Sequence, residues 1–328
     1  MTPTKPKILY IDGFNLFYQM FSTFKASDAN GNPIGGFVGF ISNLQKLVTK
    51  FSPQKTVVIF DGPDAGKRRR SFFKDYKGKR NRKKRFSIMD FGDGDKVQVD
   101  NEQEQLRMVY EFLKHLPVEV LVIPTYEADD IIAYLVNKNP DYTSIINTND
   151  KDFYQLINPN TFVWAPQKKI LYNEELVLAQ HEVIPNNFVY MRCIVGDPSD
   201  KLPGIKGLGK STLLEKIPQL KTTPFKNFEE FWEEIEKLED DSKNGKKLKE
   251  NKDQALLMYK LMKLDYTCLN QKGIEQLEAQ LIEQQNKSFS KIGLKMYCIK
   301  QHIEAHIKNF DAWVRPFSFL KSDTKLTA

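Results

Sequence analysis

Four short apolar runs in the first half of the chain lead into acid. Residues 7–11 run into Asp12, and residues 56–60 into Asp61. Residues 119–123 are followed by Glu127, Asp129 and Asp130 in YEADD, and residues 142–146 by Asp150 and Asp152 in NTNDKD. Asp197 and Asp200 follow later, in GDPSDK. A lone Asp-Gly after a strand is most often only a turn, and the 127–130 cluster could equally open a helix in the field of its macrodipole. Repetition at successive strand ends is what argues for a site. Carboxylates held a few ångströms apart raise one another's pKa, and divalent cations relieve that repulsion. An all-oxygen set without nearby His or Cys suits hard ions, Mg²⁺ or Mn²⁺, rather than zinc. Two such ions about 4 Å apart can align a phosphodiester, generate hydroxide and neutralise the departing oxygen. His115, His181, His302 and His306 fit no ligand spacing and read as structural or surface residues.

For these acids to meet, the runs that carry them must be parallel strands ending on one edge. The runs are short, rich in Ile and Val, and closed by polar or turn residues, which predicts strands. Helical spacing alternates with them: residues 37–51 after Gly35-Gly36, residues 101–116, and a stretch starting near Glu127. That rhythm predicts an α/β fold with a mostly parallel central sheet flanked by helices, whose sites gather at the carboxyl ends of the strands. After Trp164 the strand signals fade. Helices are expected at 174–181, 186–195, 208–217, 227–238, 249–264 and 294–310, with 240–245 an exposed loop. The expected organisation is an α/β core over 1–165 carrying an insert at 62–100, then a helical lobe over 166–328.

The chain has 328 residues, with 41% apolar and 12% aromatic side chains and a net charge of +7. That excludes a disordered chain. No apolar run approaches the roughly 20 residues of a membrane span, the N-terminus lacks a signal peptide's apolar stretch, and Cys193, Cys268 and Cys298 form no CxxC pair. A soluble protein of a reducing cytosol, without membrane partners, is expected. The charge is concentrated: residues 67–85 hold twelve basic side chains against the single Asp75, so the remainder is net acidic. Within this run Lys67, Arg68, Arg69, Arg70, Lys74, Lys77, Arg80 and Lys83 are interleaved with Phe72, Phe73 and Tyr76. Cations can meet phosphates while rings meet bases, which points to nucleic acid rather than a merely solvated loop. Downstream, GDPSDKLPGIKGLGKST places Gly204, Gly207 and Gly209 in a hairpin between two helices, followed by Lys210 and Ser211. Its glycines allow close backbone approach to a phosphate without reading sequence. The spacing also matches a nucleotide-binding P-loop, but a P-loop follows a buried strand, whereas this stretch follows a helix and a Pro-rich turn.

Together IDGFNLFY, FDG before a basic insert, YKxxR (Tyr76, Lys77, Arg80), YEADD, NDKDFYQL and GDPSDKLPGIKGLG resemble the 5′ nuclease superfamily, which includes phage 5′→3′ exonucleases and RNase H, flap endonucleases and the 5′ nuclease domain of DNA polymerase I. The ordered motifs cover about residues 7–217. The resemblance implies a PIN-like 5′ nuclease fold in which the basic insert forms a helical arch and residues 194–217 a helix-hairpin-helix that grips duplex, in the family often with a bound K⁺. It implies a metal-dependent, structure-specific nuclease cutting DNA, or RNA paired to DNA, near 5′ ends, flaps or nicks, and extends to removal of RNA primers. By position, Asp12, Asp61 and Asp129 resemble ligands of a first Mg²⁺ or Mn²⁺, with Glu127 and Asp130 in or beside its shell. Asp150, Asp152, Asp197 and Asp200 resemble the set around a second. Lys77 and Arg80 resemble catalytic arch cations, and Tyr18 a base-stacking ring. A monomer working with replication proteins in a bacterial or phage-infected cytoplasm is expected. The chain departs from the family at Lys201, where Asn is common, and at Ser211-Thr212. The alternative is a catalytically silent junction-binding protein, which would need the basic insert and hairpin but not nine acids.

Overall fold

A computed structural model describes residues 5–77, 86–90, 96–239, 243–285, 289–320 and 326–327, with 86–90 and 96–99 as backbone alone. The first half alternates β1 (Lys7–Asp12), α1 (Gly13–Thr23), α2 (Gly35–Phe51), β2 (Lys55–Asp61), α3 (Lys67–Phe72), β3 (Phe86–Asp90), β4 (Lys96–Asp100), α4 (Asn101–Leu113), β5 (Glu119–Ile123), α5 (Ala128–Lys138) and β6 (Thr143–Asn147). Then come β7 (Thr161–Ala165) and β8 (Ile170–Tyr172). Six of these strands form one sheet in the order β5-β2-β1-β6-β7-β8, parallel throughout except for β8. The chain thus continues in the central sheet to Tyr172.

Alternation along each strand divides the core. Ile8, Tyr10, Val57 and Ile59 join the apolar cluster under α5 and the helices of the second half. Leu9, Ile11, Val58 and Phe60 join the cluster under α1, α2 and α4. All eight are fully buried. A sheet covered on both faces reads as continuous Ile and Val rather than alternating polarity, and that is why the strand runs were visible in the sequence.

The edge of β5 is closed by side chains. In the helix Gln271–Gln285, Gln280 accepts from the Val122 N–H at 3.0 Å and donates to the Val122 carbonyl at 2.8 Å. Gln284 accepts from the Val120 N–H at 3.4 Å. One helix face thereby occupies backbone groups that an edge strand leaves open.

Between β2 and α4 the described part of the insert is a short helix, α3, followed by an antiparallel ribbon of β3 and β4. The expected helical arch corresponds here to helix and ribbon; Arg80 and Lys83 lie outside the described residues. The second half is helical, starting with α6 (Glu174–His181), α7 (Phe188–Val195) and α8 (Lys210–Lys216). Residues 243–245, expected in a loop, begin the helix Lys243–Glu250, and residues 240–242 lie outside the described set.

Candidate active site

Asp12 closes β1 and caps α1, its Oδ1 accepting from the Asn15 N–H at 3.0 Å. Asp61 closes β2, and its Oδ1 accepts from the Ala128 N–H at 2.8 Å, so one strand end is tied to the start of α5. The close approach requires Gly62: a Cβ there would overlap the Ile123 carbonyl of the neighbouring strand. Asp150 caps the turn Lys151–Leu156 by accepting from the Asp152 N–H at 2.8 Å. These anchors bring Asp12, Asp61, Asp129, Asp150 and Asp200 to the wall of one cavity of about 590 Å³, with Lys77 its one cation among the described residues.

The electrostatics are those of excess negative charge. Burial, then Asp61, Asp150 and Asp129, push the Asp12 carboxyl up to about 7 despite the Asn15 hydrogen bond. Burial also raises Asp61 and Asp150. Asp129 goes the other way: burial opposes ionisation, but Arg69 and Lys77 outweigh it and hold the carboxyl below the usual range. The Lys77 ammonium is held well above its ordinary value, because Asp129 and its neighbours outweigh the cost of burial.

The other four acids stand outside the cavity wall. Glu127 and Asp130 form a reciprocal capping box at the start of α5 and are buried. Carboxylate oxygens of Glu127, Asp129 and Asp130 lie within 4.8 Å of one another, close enough to share an ion. Arg69 of α3 is ion-paired with Glu127, with Asp129 at 3.2 Å and with Asp130 at 2.8 Å. The Tyr76 hydroxyl donates to Glu127 at 3.0 Å and Lys77 Nζ to the same carboxylate at 2.9 Å. Asp152 and Asp197 are held by Arg192 of α7, whose Nε donates to Asp152 at 3.0 Å and whose other arm meets Asp197. Burial and the nearby Asp150 raise the Asp152 carboxyl to about 8. Asp197 is lowered, since Ser199 and Arg192 outweigh its burial.

Two residues expected on a nucleic-acid surface are not there. Arg69 is 2% exposed and Tyr76 3% exposed, because the acids behind the cavity need an internal counter-charge and a donor. Arg68 meets Asp130 at 3.0 Å and Arg70 the Ala65 carbonyl at 2.9 Å, both reaching solvent, while Lys67 and Lys74 are exposed. Tyr18 lines the cavity, stacks on Phe14 at 5.7 Å, and donates to Glu102 at 2.8 Å. In the glycine hairpin a Cβ at Gly204 would overlap the Val195 carbonyl, and Gly207 has φ +79°. Gly209 precedes α8, Ser211 is exposed, and Lys210 pairs with Glu182 at 3.1 Å.

Sequence reasoning missed Arg192 and the amides Asn15 and Asn149. Arg192 did leave a signal: a lone cation in the apolar helix FVYMRCIV implies a buried acid partner. The amides left none, because their role depends on α1 meeting the 148–150 loop.

Comparison with known proteins agrees with this geometry. Residues 7–182 match the family model of the 5′-3′ exonuclease N-terminal resolvase-like domain, and residues 183–285 that of the 5′-3′ exonuclease C-terminal SAM fold. The chain is 32% identical over 271 residues to a 5′-3′ exonuclease of Aquifex aeolicus, covering 80% of this chain and 83% of that protein. It is 30% identical over 266 residues to DNA polymerase I of Caldicellulosiruptor bescii, covering 78% of this chain and 28% of the polymerase. Among solved structures, the D15 flap endonuclease of bacteriophage T5, in a complex with DNA and metal ions, superposes with a TM-score of 0.62 at 17% identity, covering 92% of this chain and all of that one. The chain belongs to the 5′-3′ exonuclease family of the 5′ nuclease superfamily, and is a nuclease.

Proposed function

We propose that the protein hydrolyses phosphodiesters near 5′ ends at single-strand/duplex junctions, in DNA or in RNA paired to DNA, leaving 5′-phosphate and 3′-hydroxyl products. The observation that carries this reading is the convergence of five aspartates and Lys77 on one cavity. The donor set fits hard divalent ions: it is all oxygen, it has one facing cation among the described residues, and burial with mutual repulsion raises Asp12, Asp61 and Asp150. Asp12, Asp61 and Asp129, with Glu127 and Asp130, would hold one Mg²⁺ or Mn²⁺. Asp150 and Asp200, with Asp152 and Asp197, would hold a second. Such ions, when bound, supply a more acidic water and charge neutralisation at the departing oxygen.

The chain's own residues do the rest. Lys77 orients the scissile phosphate, since among the described residues it is the one positive group on the cavity wall. Phe14 and Tyr18 offer stacked rings to a base at the cavity mouth. Lys67, Arg68, Arg70, Lys74, Arg80 and Lys83 draw in the single strand. The hairpin of Gly204, Gly207, Gly209, Lys210 and Ser211 holds duplex backbone in helix-hairpin-helix fashion, where K⁺ is a candidate ligand. The α/β core, whose sheet runs to Tyr172 rather than ending at 165, and the helical lobe after it act as one monomeric unit in the cytoplasm, on replication intermediates.

Product analysis on end-labelled flap, nicked and RNA-primed duplexes with Mg²⁺ tests the proposal. Cuts near the junction are expected, lost in Asp61→Asn while duplex binding persists. Binding without cutting by the unaltered protein would refute it.

A further inference from the structure

Beside the acids the cavity changes character. Its wall there is built from Asn15 and Gln19 of α1, Asn149 and Gln167, with no charged group among them. Two backbone donors fix how these amides face. The Gln167 N–H donates to Asn149 Oδ1 at 3.1 Å, so Asn149 Nδ2 must be the donor on its other side. It donates to Asn15 Oδ1 at 3.2 Å and to Gln19 Oε1 at 3.3 Å. The Asn149 N–H, at 3.3 Å from Asn15 Oδ1, fixes the Asn15 amide independently. Both oxygens are thereby turned to Asn149, which leaves the NH₂ groups of Asn15 and Gln19 without partners among the described residues. Asn15 is also tied to Asp12 through its backbone, so this donor pair sits beside the acids proposed to hold the reacting phosphate.

Two neutral NH₂ donors next to five carboxylates suit a neutral acceptor. A phosphate is better served a few ångströms away, where the ions proposed at the acids and Lys77 would take it, and no cation accompanies the amides among the described residues. A base edge would impose sequence dependence, which a junction nuclease does not need. The ribose 2′-hydroxyl supplies a neutral lone pair at every ribonucleotide, whatever its base, and is absent from DNA. Building on the nuclease reading above, we infer that Asn15 and Gln19, held by Asn149, form a ribose-sensing subsite that accepts the 2′-hydroxyl of a nucleotide adjoining the scissile phosphate. The protein would then favour the junction between an RNA primer and the DNA that follows it.

The test is kinetic. Flap and nicked duplexes carry one 2′-hydroxyl, 2′-hydrogen or 2′-fluoro nucleotide, placed in turn at each position flanking the cut. At one position the unaltered protein should cleave the hydroxyl substrate about five- to tenfold faster in kcat/KM than the hydrogen substrate, the worth of one neutral hydrogen bond, with fluorine in between. Gln19→Met, which removes the donor, and Gln19→Glu, which keeps the acceptor that Asn149 needs, should each bring that ratio toward one, with folding checked by Tm. A ratio of one at every position in the unaltered protein would overturn the inference while leaving the nuclease reading intact. Equal slowing of both substrates by the Gln19 variants would also overturn it, since the donor would then be serving the backbone. Failure to cleave any substrate would remove the nuclease reading and this inference with it.

Discussion

Arg192 Nε lies 3.0 Å from Asp152 Oδ1, and the same guanidinium reaches Asp197, so one cation from α7 spans two acids of the site. Both partners are largely buried. Removing the cation strands two carboxylates, and breaking a buried pair costs about 3–5 kcal/mol. Arg192→Met should lower unfolding free energy in urea by about 3 kcal/mol in chelator. Millimolar Mg²⁺ should recover part of that loss, more than it adds to the unaltered protein. An equal Mg²⁺ increment in both would mean that Asp152 and Asp197 lie outside the metal's reach.

Lys77 contacts Glu127 from behind and faces the cavity in front. Lys77→Ala should slow single-turnover cleavage by about 10²–10³-fold, the usual cost of removing one positioned charge donor. Binding to a duplex lacking a 5′ flap should change by less than threefold. Parallel losses in rate and binding would make the residue an anchor only.

The metal-free protein should lose stability as pH rises. Asp12 in the folded state titrates near 7, against about 3.9 for a free side chain. Between those values the folded state holds more protons than the unfolded one, so the unfolding free energy falls with rising pH. Asp152, raised by burial and by the nearby Asp150, acts in the same direction. A Tm series in chelator from pH 5 to 8 should therefore decline. The same series with Mg²⁺ should flatten, because an ion takes the place of the protons. Ligand at about 100 times its Kd adds about 2.7 kcal/mol, or roughly 4 °C at this chain length. A Tm in chelator that climbs from pH 5 to 8 would show that the acids are not crowded.

Gly62 is the hinge between β2 and the insert, and its amide donates to the Tyr126 carbonyl at 3.0 Å. Gly62→Ala would drive a methyl into backbone that has no room to shift, and should destabilise by at least about 2 kcal/mol. Cleavage should suffer beyond that loss, since Asp61 and the start of α5 are held by the same junction. Unchanged urea midpoint and rate would mean that the strand ends can separate freely.

The strands carrying Asp12, Asp61 and Asp150 were legible because a doubly covered sheet demands unbroken Ile and Val, and acid after such a run marks its open end. α1 was not, since FNLFYQMF packs aromatics on several sides and shows no clean apolar stripe. β8 is a three-residue edge strand, too short for any periodicity. The helix Gln271–Gln285 was missed because the face it lays on β5 is glutamine, which reads as solvent-exposed. The acids were legible as a group, but their division was not. Whether Glu127 looks into the cavity or back to Arg69 depends on where α3 docks, and the YEADD spacing carries no information about that.

Those glutamines have a consequence for behaviour in concentrated solution. Amide side chains satisfy Val122 in both directions, as a neighbouring strand would, so β5 presents no template on which a second molecule could add. Shortening Gln280 and Gln284 to Ala would uncover that ladder, and the altered protein should self-associate in light scattering well before it loses its fold.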